Sequence, residues 1–311
     1  MKKINFYCPL FLLVMLVACG LQTRPGPSPG ETRKKDSLFR LDSLALVTLY
    51  DSCDGPHWKK KENWRTKAPL STWYGMHWID SGRVTVLKLH ANNLSGRLPA
   101  AIGNLTRLDL LELDSNQLTG NIPASLSRLS HLTALDLSNN QLSGPVPDFL
   151  GGMESLYSIL LYHNQLTGEI PASLGNLHRL GNLWLRQNQL TGKIPPSLGK
   201  LAELQKLILS YNHLTGGIPA SLGNCSDLTV LELCANQLTD TIPASLGGLP
   251  KLNVVNLAAN RLTGGLPDTF VSPYLAIMDL RFNQLSGKIP PGLQRLVSSQ
   301  GIFWEGTKLT P

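Results

Sequence analysis

The chain has 311 residues, of which 6% are aromatic and 16% are charged, whereas glycine (28) and proline (21) are plentiful. Its formal net charge is +7, but most of the excess lies before residue 84, so the remainder carries no basic stripe of the kind that binds nucleic acid. The apolar content of 42% excludes a disordered chain, and the even spacing of glycine and proline indicates a repeat array.

Residues 1–18 predict a signal peptide. Lys2 and Lys3 give a positive start, and the apolar run that follows is shorter than the roughly 20 residues that span a bilayer. The run ends in "LVACG", which resembles a bacterial lipobox, so Cys19 is predicted to be lipidated and to become the first mature residue. The alternative is an ordinary signal cleaved near Ala18, in which Cys19 has no role.

Residues 19–35 predict a lipid-anchored linker. Pro25, Pro27 and Pro29 alternate with glycine and serine, and no apolar periodicity is present.

Residues 36–83 predict an amino-terminal cap. A helix should begin at Asp36 or Ser37, and apolar residues recur at helical spacing through Leu38, Leu41, Leu44, Ala45, Val47 and Tyr50. Four of the six tryptophans follow, at Trp58, Trp64, Trp73 and Trp78. They favour a cover for the first repeat of an array; a sugar-stacking site is the alternative.

From residue 84 to 296 the sequence repeats nine times. Each repeat has an asparagine, spaced by 24 residues seven times and by 23 once, at Asn92, Asn116, Asn140, Asn164, Asn188, Asn212, Asn236, Asn260 and Asn283. Aliphatic side chains five and three residues before each asparagine predict a short strand with one buried face. Because an asparagine amide both donates and accepts, the nine predict a ladder that satisfies buried backbone groups.

The segment "NQLTGEIP", Asn164 to Pro171, illustrates how each repeat is expected to fold. Leu166 and Ile170 should enter the core, Gly168 should take a positive φ, and Pro171 should begin a short helical turn.

The full pattern, LxxLxLxxNxLTGxIPxxLGxL, resembles the leucine-rich repeat family in the long form known from plant receptor ectodomains and from bacterial surface proteins. The cap resembles that of Bacteroidetes-type lipoproteins, since "WYGMHW" lacks the paired cysteines of plant caps. The resemblance implies a right-handed curved solenoid with parallel strands on the concave face and short 3₁₀ or irregular turns outside. It also implies a protein or peptide ligand on that face and no catalytic residue set.

Four places depart from the pattern. Asp240 replaces a glycine and should adopt a left-handed bend, and Cys225 replaces a core leucine. One repeat is a residue short around Phe270 to Leu275. Residues 297–311 abandon the pattern and predict a carboxy-terminal cap, with Phe303 and Trp304 over the last repeat.

Sites for chemistry are not evident in the sequence. Cys53, Cys225 and Cys234 suggest no disulfide framework, and Cys234 should face the concave solvent. The seven histidines form no metal-ligand motif, and no nucleotide-binding or nucleophile motif is present. The sequence therefore predicts neither a metal, nor a cofactor, nor an enzyme.

The predicted binding surface follows from strand alternation. Residues four and two before each asparagine should point onto the concave face, and in the middle repeats these are apolar or aromatic. Leu160, Trp184 and Ile208 should form one exposed row and Tyr162, Arg186 and Ser210 the next, with Lys206 beside them. The alternative is that these side chains only pack across strands.

These features favour a lipid-anchored binding protein on the periplasmic or outer surface of a bacterial membrane, the outer membrane more than the inner. Its expected partner is a protein or peptide, bound by a monomer. A structural or adhesive surface protein without one dedicated ligand is the first alternative, and an enzyme-inhibitor-like repeat protein is the second.

Overall fold

The computed structural model describes residues 29–80, 82–270 and 272–311 of the chain. The predicted signal peptide, Cys19 and most of the predicted linker lie outside the described residues.

The first described element, helix α1 (Pro29–Ser52), begins seven residues earlier than expected. Proline suits the first position of a helix because its missing N–H group would have had no partner there. The last part of the predicted linker, residues 29–35, is therefore helical, and the start predicted at Asp36 is wrong.

The buried face of α1 also differs from the predicted apolar face. Leu41 and Leu44 are 44% and 61% exposed, whereas Asp42 is fully buried. The Asp42 carboxylate accepts two hydrogen bonds from the Arg83 guanidinium, at 2.9 and 2.8 Å, and one from the Val84 backbone N–H at 2.9 Å. A carboxylate that is paired in this way can occupy a buried position, so the helix turns its Asp42 side inward.

Three of the predicted cap tryptophans are buried between α1 and the first repeat. The rings of Trp58 and Trp64 meet edge to face at 4.8 Å, and Trp73 packs against Trp64 at 5.1 Å. Each indole N–H donates to a backbone carbonyl, of Cys53, Tyr74 and Ala68 respectively. These rings have no open face on which a sugar could stack, so they act as a cap.

The concave face is a sheet of 11 strands in the described part of the chain, parallel apart from its first, antiparallel pair. Sequential strands are neighbours throughout, as in a solenoid. The strands are Met76–Asp80, Arg83–Lys88, Leu110–Glu112, Ala134–Asp136, Ser158–Leu160, Asn182–Trp184, Lys206–Ile208, Val230–Glu232, Val254–Asn256, Ile277–Asp279 and Ile302–Phe303.

A second set of short strands lines one flank of the solenoid, one after each asparagine and a last one in the carboxy-terminal segment. They form small parallel sheets and comprise Ser95–Arg97, Gln117–Gly120, Gln141–Pro145, Gln165–Glu169, Gln189–Thr191, Thr215–Gly216, Gln237–Leu238, Thr263–Gly264, Gln284–Lys288 and Lys308–Thr310.

The convex side consists of 3₁₀ turns. In the repeats they span Ala100–Asn104, Ala124–Arg128, Asp148–Gly152, Ala172–Asn176, Pro196–Lys200, Ala220–Asn224, Ala244–Gly248 and Pro291–Leu293; the cap adds Gly55–His57 and Leu70–Thr72. Pro171 precedes its turn, with φ −61° and ψ 130°, and does not begin it as expected. Gly175 is needed because a Cβ there would lie 2.4 Å from the Ser197 carbonyl oxygen.

The predicted asparagine ladder is confirmed. The Asn188 amide donates to the carbonyls of Leu161 and Leu185, at 3.0 and 3.1 Å, and its oxygen accepts from the Leu166 N–H at 3.0 Å. All nine asparagines are 9% exposed or less. Asn92 differs because its side chain bonds the backbone of Lys60, which ties the ladder to the cap.

The residue before each asparagine adopts a left-handed conformation that the sequence analysis did not predict. None of these residues is glycine, and their φ values run from 49° to 58°, at Ala91, Ser115, Asn139, His163, Gln187, Tyr211, Ala235, Ala259 and Phe282. Each donates its backbone N–H to a carbonyl of the next repeat, as Tyr211 does to Cys234 at 2.9 Å. Because this position holds many residue types, its left-handed conformation cannot be predicted from the residue that occupies it.

The departures behave largely as expected. Asp240 has a φ of 65°, and Cys225 is buried. Among the described residues, the short repeat around Phe270 has no 3₁₀ turn. At the carboxy end, helix α2 (Gln294–Ser298) leads into two further strands, so the pattern continues rather than stops. Ile302 and Leu309 insert into the last core. Half-buried Trp304 packs against that core as predicted, whereas Phe303 does not belong to it.

Candidate functional site

The concave sheet carries one continuous row of side chains, four residues before each asparagine. Strand pairing places each member of this first row directly beside the next. In order, the row is Lys88, Glu112, Asp136, Leu160, Trp184, Ile208, Glu232, Asn256, Asp279 and Phe303. The predicted alignment of Leu160, Trp184 and Ile208 is therefore present.

The predicted exposure of that row is only partly right. Leu160 and Ile208 are 6% and 8% exposed, and Ser210 is fully buried, although Trp184 is half-buried. The large indole stands between two shorter aliphatic side chains and reduces their access to solvent. What the middle of the face presents is therefore Trp184, together with half-buried Tyr162, Arg186 and Lys206.

Ring contacts join Tyr162 and Trp184, the pair that we call the aromatic centre. The Tyr162 and Trp184 rings lie 5.8 Å apart at 48°, and the Lys206 ammonium lies 5.8 Å from the indole centroid. Burial raises the pKa of the Tyr162 phenol, so it stays a neutral hydrogen-bonding group near neutral pH. An aromatic pair of this kind offers a rigid apolar surface with polar edges.

Arg186 lies between the aromatic centre and the following repeats. Its guanidinium is 4.9 Å from the Tyr211 ring and 4.0 Å from a Glu232 carboxylate oxygen. Its buried Nε has no hydrogen-bond partner among the described residues. Burial raises the pKa of Glu232 and the charge of Arg186 lowers it, whereas burial and Arg186 together lower the pKa of His163.

Tyr211 was not among the predicted site residues. It is 49% exposed and stands at the left-handed position before its asparagine, so its side chain reaches the rim beside Arg186. Strand alternation alone did not identify it because this residue lies beyond the end of the strand.

Cys234 does not face solvent as predicted. It lies on the concave side of the sheet but is 7% exposed, next to Ser210, and burial raises the pKa of its thiol. Burial also raises the pKa of Cys53 to about 12 and that of Cys225 to about 11, and all three cysteines are free. These thiols are unreactive groups rather than nucleophiles.

The amino-terminal third of the concave face is acidic. Glu112 is neutralised by the Lys88 ammonium at 3.1 Å, but Asp114 and Asp136 have no cationic partner among the described residues. Burial raises the pKa of Asp136 to about 6, against two hydrogen bonds from Ser138 that lower it. We refer to Glu112, Asp114 and Asp136 as the acidic section.

The part of the chain that the structure describes contains no group of three or more His, Cys, Asp or Glu placed to hold a metal ion. Over the same residues, the helices are too short or too polar to traverse a lipid bilayer.

Family models described as leucine rich repeat match residues 82–142 and 202–262, and further single repeats at 155–177, 179–201 and 274–296. Among solved structures, the ectodomain of the Arabidopsis thaliana membrane receptor kinase GASSHO1/SCHENGEN3, in complex with CASPARIAN STRIP INTEGRITY FACTOR 2, is 39% identical. The similarity covers 81% of this chain and 31% of that one, with a TM-score of 0.76.

Two further structures differ in how much of them this chain covers. The Arabidopsis receptor kinase HAESA, in complex with the peptide hormone IDA and the co-receptor SERK1, is 25% identical over 86% of this chain and 54% of that one, with a TM-score of 0.63. A plant ice-binding protein is 27% identical over 88% of this chain and 96% of that one, with a TM-score of 0.70. This chain spans 31% to 40% of the first three receptor structures it matches.

Proposed function

The chain belongs to the leucine-rich repeat family, and from that premise we propose that it binds a protein or peptide on its concave face and has no enzymatic activity. The aromatic centre, with Arg186 and Lys206 around it, is the proposed contact surface. Receptor ectodomains similar to this chain are described in complex with peptide or protein factors, which supports this class of ligand.

The observation that carries the proposal is that Trp184 is only half-buried, in the middle of a row whose aliphatic neighbours are buried. Leu160 and Ile208 already pack across strands, as the alternative interpretation required, so they add no exposed apolar surface. Trp184, Tyr162 and Arg186 are the residue types that dominate binding energy at interfaces. The contact area is therefore narrower than the sequence alone indicated.

The test is the double variant Trp184→Ala with Arg186→Ala in the full chain, compared with a control double variant, Arg261→Ala with Tyr274→Ala. All four residues are at least partly exposed, and the control pair lies outside the concave rows. The concave variant should lose capture of the native partner by at least tenfold, while the control should not. A folded concave variant that captures the partner with unchanged affinity would exclude this surface.

The proposed location is a membrane surface reached through lipid on Cys19, on the extracytoplasmic side and at the outer membrane of a bacterium. The support for this anchor and for the bacterial type is the sequence "LVACG" and the cysteine-free cap segment. The receptor ectodomain and the ice-binding protein that resemble the repeats come from plants and do not bear on the anchor. Cys19→Ser should move the protein from the membrane fraction to the soluble fraction; unchanged partitioning would refute lipidation.

Ice binding is a second candidate, favoured by the similarity that covers nearly the whole of the plant ice-binding protein. The flank strands of this chain present a regular row of exposed polar side chains, including Gln165, Thr167, Gln189 and Thr191. Inhibition of ice recrystallisation that is lost in Thr167→Tyr with Thr191→Tyr, but not in Trp184→Ala, would favour this function over peptide binding.

A further inference from the structure

We propose that the ligand segment is a polyproline II stretch of polypeptide with a Lys or Arg side chain three residues away from an aliphatic or aromatic one. The cation would lie on the acidic section and the apolar side chain on the aromatic centre. This inference rests on the proposed function and adds the chemistry and the conformation of the partner.

The charge of the concave face favours a cation at one place. The protein has a net charge of +7, yet Lys88 is the one described cation paired with the acidic section, and it is already bound to Glu112. Among the described residues, the Asp114 carboxylate accepts one hydrogen bond, from the Ser115 hydroxyl at 3.0 Å. A lysine or arginine of a partner is the complement that this section lacks.

Asp136 is the member of this section that is best placed to bind a ligand. Its carboxylate accepts two hydrogen bonds from the described residues, from the Ser138 N–H at 3.0 Å and the Ser138 hydroxyl at 2.6 Å, and both end on Oδ1. Oδ2 accepts none from the described residues and is left for a donor from outside. The groups that face Asp136 are Glu112 and Asp114 from the preceding repeat, and Tyr162 from the following repeat. None of these supplies a positive charge.

The spacing along the first row selects the conformation of the ligand. Asp136 and Trp184 are separated by two strand steps, with Leu160 between them, which corresponds to about 9.6 Å. A polyproline II helix places side chains i and i+3 on the same side at a separation of about 9.3 Å. A β-extended peptide places i and i+2 on one side at about 6.7 Å, and i and i+3 on opposite sides. The polyproline II repeat matches the row, and the β repeat does not.

The surface between the two contacts also suits proline. Leu160 lies there, and its buried side chain offers no polar group. The Tyr162 and Trp184 rings lie beside this position and in contact with each other. Proline-rich segments bind to grooves lined by aromatic side chains because little conformational entropy is lost when a preformed helix docks. Because the segment has no internal hydrogen bonds, its carbonyls are open to donors from the protein.

The experiment uses fluorescein-labelled peptides of about ten residues in a Gly-Ser background, titrated against the full chain. The core sequences are Arg-Pro-Pro-Leu and its reverse, Leu-Pro-Pro-Arg, since the direction of the chain is open. Controls are Arg-Pro-Leu, which shortens the spacing, and Glu-Pro-Pro-Leu, which reverses the charge. One of the first two peptides should bind at least tenfold more tightly than either control.

Protein variants then test the contacts. Asp136→Asn should weaken binding of the preferred peptide at least threefold and should leave binding of Ser-Pro-Pro-Leu unchanged. The matched control is Asp148→Asn, which removes an exposed carboxylate from the convex side. Circular dichroism and melting curves verify that each variant is folded.

The outcomes separate this inference from the proposed function. Binding that requires Trp184 but ignores charge and spacing would overturn the polyproline II inference and leave the proposed function intact. Failure of every peptide to bind, together with native-partner capture that still depends on Trp184, would have the same meaning. If all peptides bind and neither Trp184→Ala nor Asp136→Asn weakens their binding, both the polyproline II inference and the proposed function would be overturned.

Discussion

The asparagine ladder and the concave first row have the same period and lie only four residues apart, yet they treat polar groups in opposite ways. In the ladder, each amide bonds inside the protein through both its NH₂ group and its oxygen, as Asn188 does with Leu161, Leu185 and Leu166. In the row, Asp136 keeps one carboxylate oxygen without a partner among the described residues. The invariant positions hold the fold, whereas the varied positions leave groups available for a ligand.

The cap contains a buried ion pair between Asp42 and Arg83. Breaking this pair should have the largest effect on the free energy of unfolding. Asp42→Ala would leave the Arg83 guanidinium buried without its carboxylate, and the expected loss is about 3–5 kcal/mol of unfolding free energy. Asp51→Ala is the control, because Asp51 makes an exposed pair with Arg65 that should be worth about 0–1 kcal/mol. Urea denaturation at pH 7 measures both, and equal losses would contradict the role assigned to Asp42.

A single rung of the ladder should matter less. Asn188→Ala leaves the Leu166 N–H without its side-chain partner. It also removes one hydrogen bond each from the Leu161 and Leu185 carbonyls, which keep a second one from a neighbouring asparagine, and the expected loss is about 1–3 kcal/mol. The neighbouring Gln189 is exposed, so Gln189→Ala should change stability by less than about 0.5 kcal/mol. The same denaturation experiment decides this, and similar values for the two variants would disprove the ladder's contribution.

Removal of a charge from the acidic section should have the opposite effect and should increase the free energy of unfolding at pH 7. Folding raises the pKa of Asp136 from 3.8 to about 6, so between those pH values the folded state holds a proton that the unfolded state has released. Stability should therefore fall as pH rises from about 4 to about 6, and Asp136→Asn should remove that fall. The variant should be more stable than the wild type at pH 7, on the order of 1–3 kcal/mol, and equally stable below about pH 4.

Melting temperatures from pH 3.5 to 7.5 measure this effect, with Asp148→Asn as the control. A variant that is less stable than the wild type at pH 7 would mean that the Asp136 carboxylate is stabilised by the fold, contrary to the direction of its pKa.

The smallest effect is expected at the aromatic centre's edge. Arg186→Ala removes the contact with the Tyr211 ring, which should cost about 0.5–1 kcal/mol. Arg261→Ala, at an exposed position, should cost less than about 0.5 kcal/mol. A loss above about 3 kcal/mol for Arg186→Ala in thermal unfolding would assign Arg186 to the fold rather than to the site.

The period of the sequence was sufficient to predict the ladder, the strands and the order of the first row, because these follow from spacing alone. Spacing was not sufficient to predict how deeply each concave side chain is buried. Leu160, Ile208 and Cys234 occupy concave positions as predicted but are buried. The buried face of α1 was predicted wrongly because Asp42 is neutralised by a residue 41 positions later in the chain, and no local pattern carries that information.

The left-handed residue before each asparagine has a consequence for how this protein can change over generations. That backbone conformation costs an ordinary residue about 1–2 kcal/mol, whereas glycine would instead lose more chain entropy on folding, about 0.5–1 kcal/mol. The two penalties are of similar size, so selection for stability has little preference between glycine and other residues at these positions. His163, Tyr211 and Phe282 occupy three of them, all at the rim of the concave face. The rim is thus a line of sites at which new side chains can accumulate by neutral drift, and from which a change of partner can begin without prior loss of the fold.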